Sequence, residues 1–370
     1  MHKFVIEPLD TLFFRDGRPF NQGEGYSGID SLFPPSPLTV VGAIRSAWAR
    51  SRGWDGKKRW NDSIRTALGG DGEELVNVKF TGPLLELAGE PLFAAPASLV
   101  GRIDENGFPC DLALLKPGPS IRCDMGEVRL PVLPSAARDG VDGCKQLTGW
   151  WLHRAAFEKI LRGKTPAPDE LIDHNRLWCL EPRVGNRINP VTGVTEDGML
   201  YATRHVRLKP GVRLTVGVQR GPGEKGDEQF PRTSQAPLGG ESRSCWIEKV
   251  GGDPDLGIPA SSLSVHNGIL RYAVHVLTPL SSSSPPEPGK PFEELPGRIV
   301  CACMRPPQRW GGWDSVNFEP LPMKAHIPPG TVLFMEAEKS EQQSVRDRHG
   351  SNIGRRSSWG FGLIAIGEWN

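Results

Sequence analysis

Arginines and glycines, not a catalytic set, are the residues here whose types and spacing could do chemistry. Between Arg183 and Arg220 stand Arg183, Arg187, Arg204, Arg207, Lys209, Arg213 and Arg220 against Glu196 and Asp197, a local positive excess in a protein of formal net charge +1. In Arg183-Val184-Gly185-Asn186-Arg187-Ile188 an extended backbone puts both arginines on one side and Val184 and Ile188 on the other. Guanidinium forks at that spacing suit successive phosphates, and the same run equally fits a solvated sheet face. A second basic cluster, Arg346, Arg348, His349, Arg355 and Arg356, surrounds Gly350 and Gly354, opposed by Asp347. Gly354, Gly360 and Gly362 would let backbone N–H groups approach a phosphate chain, with counter-charge from Arg355 and Arg356 and an aromatic face from Trp359. A Gly-rich turn alone is what any hairpin uses; joined to an Arg-Arg pair and an aromatic it points to RNA or phosphate. Tyr201, His205, Arg207 and Trp359 are the candidate base or phosphate contacts.

Catalytic signatures are missing: there is no Walker A loop, no HExxH, no GxSxG, and no GxGxxG between a strand and a helix. Gly251-Gly252-Asp253-Pro254 starts like the GGDD turn of cyclase palms, but Pro254 replaces the second aspartate and leaves a plain turn. The 8 histidines lack ligand spacing, and His153 beside Trp150 and Trp151 reads as a structural or interface residue. The 7 cysteines contain no CxxC pair, so neither a disulfide framework nor a zinc ribbon is suggested; Cys301 and Cys303 fit alternate positions of a buried strand. The expectation is a protein that is not an enzyme and has no cofactor or metal. Near-neutral charge excludes a globally basic coat or an acidic tail. Neither an apolar leader nor a run of about 18 uncharged apolar residues is present, so the chain reads as cytoplasmic, with no membrane partner.

The elements that would position these residues follow from length and pattern. At 370 residues the chain reads as two domains, and Gly (44) with Pro (35) makes about a fifth of it, which excludes a helical bundle and implies many turns. Lys3 to Ile6 is strand-like. Ser36 is an N-cap and Pro37 a first helical residue, opening a helix to about Arg50 with Leu38, Val41, Ile44 and Trp48 on one face and Arg45 on the other. Leu75 to Phe80 and Leu84 to Leu87 read as short strands, Pro91 to Pro134 as irregular, and Leu147 to Leu161 as a second helix. Leu200 to Gln219 alternates apolar and polar residues around Lys209-Pro210-Gly211, which reads as a hairpin. Strand Ser244 to Val250 follows, and a boundary falls at 251–257. The second unit opens with strand Ile269 to Leu277, continues through a short helix or turn near Phe292 to Leu295 and strands Arg298 to Cys303 and Val332 to Glu338, and ends in a Gly-rich strand.

Five motifs in order carry a family resemblance: Leu9-Asp-Thr-Leu-Phe-Phe-Arg-Asp-Gly-Arg-Pro-Phe20; Phe33-Pro-Pro-Ser-Pro-Leu-Thr-Val-Val-Gly-Ala-Ile-Arg45; Arg183-Val-Gly to Gly-x-Leu-Tyr201; Leu238-Gly-Gly-Glu-Ser-Arg243; and the closing Gly-Phe-Gly strand. Together they resemble the repeat-associated mysterious proteins (RAMP) of CRISPR systems. Their order and spacing are most similar to the third subunit of the type III-B RAMP module, the Cmr complex, whose type III-A counterpart does the same work. The resemblance implies an α+β chain of two tandem ferredoxin-like (RRM-like, RAMP) domains with large loop insertions, over 1–252 and 262–370, with no role carried onto 91–175. It implies a non-catalytic subunit of an RNA-guided effector in antiviral defence. That subunit binds the 5′ repeat-derived handle of crRNA and docks the large polymerase/cyclase-like subunit beside the RAMP backbone subunits. The RNA contacts so implied are Arg15, Arg18, Arg45, Arg183, Arg187, Tyr201, Arg204, His205, Arg207, Arg243, Gly354, Arg355, Arg356, Trp359, Gly360 and Gly362. The stretch from Arg183 to Tyr201 is expected to project as a thumb-like loop at the junction of handle and spacer, with Asn189-Pro190 and Thr192-Gly193 breaking any regular element. Two alternatives stand beside this: a RAMP endoribonuclease processing precursor crRNA with His153 or His205 as acid or base and Tyr201 assisting, and a structural adaptor whose Trp48, Trp150, Trp310 and Trp313 mark protein interfaces.

Overall fold

The computed structural model describes residues 2–15, 29–70, 74–124, 126–134, 143–220, 230–251, 256–314, 317 and 319–369, and for Arg187 and residues 197–200 the backbone only. Its architecture is mostly β-sheet with few helices. One antiparallel sheet runs in the order Leu171–Asp173, Trp150–His153, Glu90–Ala94, Val78–Leu87, Val212–Arg220, His2–Pro8, Ser244–Val250, Thr233–Pro237. Helix Pro37–Ser51 packs on it. Ser36 caps this helix by accepting from the Leu38 N–H at 3.3 Å, and Pro37 starts it with a φ already suited to a helix. Val40, Val41, Ile44 and Trp48 then bury against Phe4, Ile6, Phe80, Leu214 and Val216 of the sheet.

The second sheet sets Ile269–Val276 between Val332–Glu338 and Ile364–Gly367, with Leu295–Cys303 outside Val332–Glu338. The four central strands repeat one plan. In each sheet the first strand lies between the fourth and the third, the second pairs with the third, and all neighbours are antiparallel. The first sheet has its crossover helix after strand one, Pro37–Ser51, and the second after strand three, Gln342–Asp347. Residues 277–294, the first crossover of the second sheet, contain no helix.

Several local expectations are corrected. Trp150–His153 is a strand between Glu90–Ala94 and Leu171–Asp173, so the helix is confined to Arg154–Leu161; pairing with two neighbours outweighs the 3.6-residue apolar spacing. Val78–Leu87 is one strand. Residues 91–134 form paired strands, Leu99–Ile103 with Pro109–Leu114 and Lys116–Cys123 with Gly126–Val132. Lys209-Pro210-Gly211 joins no hairpin: Thr195–Leu208 pairs with Trp178–Ile188, whereas Val212–Arg220 enters the large sheet. No described helix is long and apolar enough to cross a membrane.

Candidate nucleic-acid interface

Trp178–Ile188 and Thr195–Leu208 form a long antiparallel arm, to which Ile29–Asp30 adds a short parallel edge. The arm is a paired hairpin, with a register shift between Asn186 and Ile188, rather than a broken loop. Asn189 and Gly193 shape only its tip, where Asn189 Oδ1 accepts from the N–H groups of Val191 and Thr192 at 2.8 and 3.1 Å. One face carries exposed Leu180, Val184 and Ile188, and Val191 at the tip is 91% exposed. On the other face Tyr201 lies opposite Gly185, whose missing Cβ leaves room for the Tyr201 ring.

At the base of that second face three arginines converge on two carboxylates. Asp10 accepts from Arg183 Nη2 at 3.0 Å, Arg207 Nη2 at 2.9 Å and Arg243 Nη1 at 3.3 Å. Glu181 accepts from Arg183 Nη2 at 2.9 Å and Arg207 Nε at 2.6 Å. Burial works against the Asp10 charge, but bonds from Arg207, the Thr11 N–H and Arg183 outweigh it and hold the carboxyl below its ordinary range. The Arg207 bond likewise lowers Glu181, with Arg183 adding to it against some desolvation. Glu181 and Asp10 in turn push Arg207 further up. The group is one charge positive and open to solvent: Arg183, Arg207 and Arg243 retain 34, 43 and 24% of their side-chain exposure. The Nε of Arg243 is buried without a partner.

His205 belongs beneath this cluster rather than on it. It is 2% exposed, its Nδ1 is 3.1 Å from Thr11 Oγ1, and its ring stacks on Phe13 at 5.0 Å. Burial, reinforced by Arg243 and Arg183, lowers its pKa and keeps it neutral. Contact between His205 and a base or phosphate is therefore corrected to a packing role, and its burial also takes it away from a solvent-borne substrate.

The positive excess of the Arg183 to Arg220 stretch is largely cancelled in space. Arg204 pairs with Asp30, Arg213 with Glu7 and Glu86, and Arg220 donates to Ala67 O at 2.7 Å with its guanidinium 5.0 Å from the Trp48 ring centre. Arg45 is corrected outright. It is 4% exposed, bonds the carbonyls of Leu68, Gly69 and Gly70, and lies 4.8 and 4.4 Å from the ring centres of Trp60 and Trp359. Arg15 is exposed and bridges to Ser31 through its backbone; Arg18 and the Arg187 side chain lie outside the described residues.

The Gly-rich segment also differs from expectation. Gly360 has φ +93, and a Cβ there would stand 2.1 Å from Gly82 O; Cβ atoms at Gly354 and Gly362 would meet the carbonyls of Ser281 and Ile353. These glycines admit protein backbone, not phosphate. Trp359 is buried in the core of the first sheet, and Phe80 N donates to Ser358 O at 2.8 Å. The N–H groups of Ser357 and Ser358 are taken by the carboxylate of Glu74 at 3.0 and 2.9 Å. Arg355 and Arg356 remain at the surface beside this junction, Arg355 exposed and Arg356 half-buried. The carboxylates that organise the site were the residues missed. Glu181, two residues before Arg183, is on the same strand face by the period of two, while Asp10 and Glu74 arrive from distant segments.

A family model described as "CRISPR-associated protein (Cas_Cmr3)" matches residues 4–369. Among solved structures, the chain is similar to a subunit of "Type III-B Cmr-beta bound to cognate target RNA and AMPPnP, state 1", with TM-score 0.51 and 16% identity over 90% of this chain and 86% of that one. A second Cmr-beta structure, bound to cognate target RNA, gives TM-score 0.49 and 16% identity over 93% and 89% of the two chains. A Csm3-Csm4 subcomplex of the type III-A interference complex gives TM-score 0.42 and 9% identity over 100% of both. No curated protein matches the chain.

Proposed function

The chain belongs to the Cmr3 family of CRISPR-associated proteins, and on that premise we propose that it is a non-catalytic subunit of a type III-B RNA-guided effector. In this reading it holds the 5′ handle of crRNA and docks the large polymerase/cyclase-like subunit beside the RAMP backbone subunits. The observation that carries the RNA-binding part is the convergence of Arg183, Arg207 and Arg243 on one solvent-open face at the root of a projecting arm. Single-stranded RNA needs such a surface, with cations for phosphates and an aromatic such as Tyr201 for a base, and requires no general acid or base. The repeated four-strand order supports reading each sheet as a ferredoxin-like unit. Arg355 and Arg356 are the second phosphate contact, acting through their side chains alone.

The test is a titration of the purified chain with handle-bearing single-stranded RNA at several salt concentrations. Binding should weaken with a log–log slope of about −3.5 if Arg183, Arg207, Arg243, Arg355 and Arg356 each neutralise a phosphate, and the RNA should stay intact. Salt-insensitive binding, or cleavage abolished by His205→Ala, would overturn the proposal.

A further inference from the structure

At the foot of the arm, a cleft of about 250 Å³ opens between the first sheet and residues 277–279, Arg305, Gln308, Trp310 and Pro329 from later in the chain. Phe33, Trp150, Trp151, Trp178 and Trp310 are among its walls, with prolines 34, 35, 83, 279 and 329 around them. At about 30 Å³ per water it would hold roughly eight. Its polar lining is sparse and specific. Arg305 enters it with Nη2 bonded to Ala95 O and Leu147 O, both at 3.2 Å, while its Nε is buried and unpartnered. No carboxylate among the described residues pairs with it, and burial alone lowers its pKa. Trp310 is 8% exposed and its indole Nε1 is a second buried donor without an acceptor. Arg305, half-buried and without a carboxylate among the described residues, stands in an otherwise largely apolar cleft and calls for an occupant that brings negative charge.

The ring geometry selects among such occupants. Trp178 meets Phe33 at 4.8 Å and 60° and Trp151 at 5.8 Å and 83°, edge to face in both cases. These three rings therefore offer corners rather than parallel faces with a slot for a flat base. Corners of indole and proline suit aliphatic and pyrrolidine side chains. We propose that the cleft binds an extended segment of a partner polypeptide. That segment sets a proline or leucine side chain among Phe33, Trp151 and Trp178 and brings an acidic side chain to Arg305.

The probe is a panel of blocked synthetic peptides in which Pro or Leu precedes Glu at varied spacing, titrated into the full chain and followed by tryptophan fluorescence, with oligouridylate as competitor. At least one peptide should give a saturable change, and its Glu-to-Gln form should bind about tenfold more weakly, as expected for loss of a charge-assisted bond. Gln308, exposed at the mouth, provides a variant that spares the core: Gln308→Trp should abolish peptide binding and leave the salt-dependent RNA titration unchanged. Arg305→Gln should reproduce the Glu-to-Gln loss. The proposal is overturned if no peptide in the panel saturates, if binding ignores Gln308→Trp, or if oligouridylate displaces the peptide, since that last result would make the cleft an RNA site. Because the RNA titration is read on the same variants, failure of the cleft and failure of the RNA-binding reading are separable.

Discussion

If the arginine group binds RNA as proposed, Asp10 competes with it for those arginines, and Asp10→Asn should tighten RNA binding rather than weaken it. The carboxylate lies 3.0 Å from Arg183 and 2.9 Å from Arg207. A phosphate on the outer edge of either guanidinium then stands about 6 Å from Asp10, where repulsion between unit charges is about 0.7 kcal/mol in a water-like dielectric. That value applies because Asp10 keeps 46% of its side-chain exposure. Relief at one phosphate is worth about threefold in affinity, and at two about tenfold. Any additional phosphate engaged by a freed arginine steepens the log–log salt slope by about 0.7. The stability cost should be about 1 kcal/mol or less, as for exposed ion pairs. Fluorescence anisotropy with handle RNA at low and moderate salt, alongside urea unfolding of the same variant, measures both. Unchanged or weaker RNA binding by a fully folded Asp10→Asn protein would mean that the arginine group is an internal ion lattice, and the argument for an RNA face at the arm's root would fail.

Other consequences can be checked with similar means. Arg45→Met removes three carbonyl bonds and two ring contacts, so stability should fall by roughly 3 kcal/mol in urea unfolding, with handle affinity per folded molecule unchanged. Gly360→Ala should lower stability by about 2 kcal/mol or more, since its φ of +93 and the Gly82 carbonyl both reject a Cβ; replacing Arg355 and Arg356 by Ala should change stability by only about 0.5 kcal/mol while reducing RNA affinity. Limited proteolysis should cut the free chain at residues 189–194 and spare it in the assembled complex; protection in the free chain would contradict an exposed tip. Asp10 and Glu181 have depressed pKa values in the fold. Their contribution is complete above the unfolded values of about 4 and lost as pH falls through the lower folded ones, so Asp10→Asn should leave the pH dependence of urea unfolding between about pH 5 and 8 unaltered. That dependence is set by buried His205, His275 and His326 and half-buried His349, whose lowered pKa values make stability fall as pH drops through about 6.5.

Local chemistry was readable in the sequence wherever neighbours along the chain decide the outcome. Ser36-Pro37 fixes a helix start because cap and first residue are adjacent, and the alternation through Val212, Leu214, Val216 and Val218 finds a strand because one face of that stretch is fully buried. What failed depends on partners far away in sequence. Trp150 and Trp151 fit a helical stripe, yet backbone bonds to residues 92–94 and 171–173 make them a strand. Lys209-Pro210-Gly211 has turn chemistry, and nothing local says that its flanking strands enter different sheets.

The same distinction governs the site. Summing charge over Arg183 to Arg220 stops two residues short of Glu181 and omits Asp10, Asp30, Glu7 and Glu86, the carboxylates that meet those arginines in space. A linear count overstates the field that a phosphate would meet at the arm. The glycines of 354–362 mislead for a related reason: positive φ and an open backbone serve a phosphate or a neighbouring carbonyl equally well, and Ser281, Gly82 and Ile353 supply the carbonyls. What survives is narrower: three arginines share two acids at one solvent-facing point. If this face binds RNA as proposed, Asp10 and Glu181 would set the strength of that binding, and the spacing of Arg183, Arg207 and Arg243 would matter more than total charge.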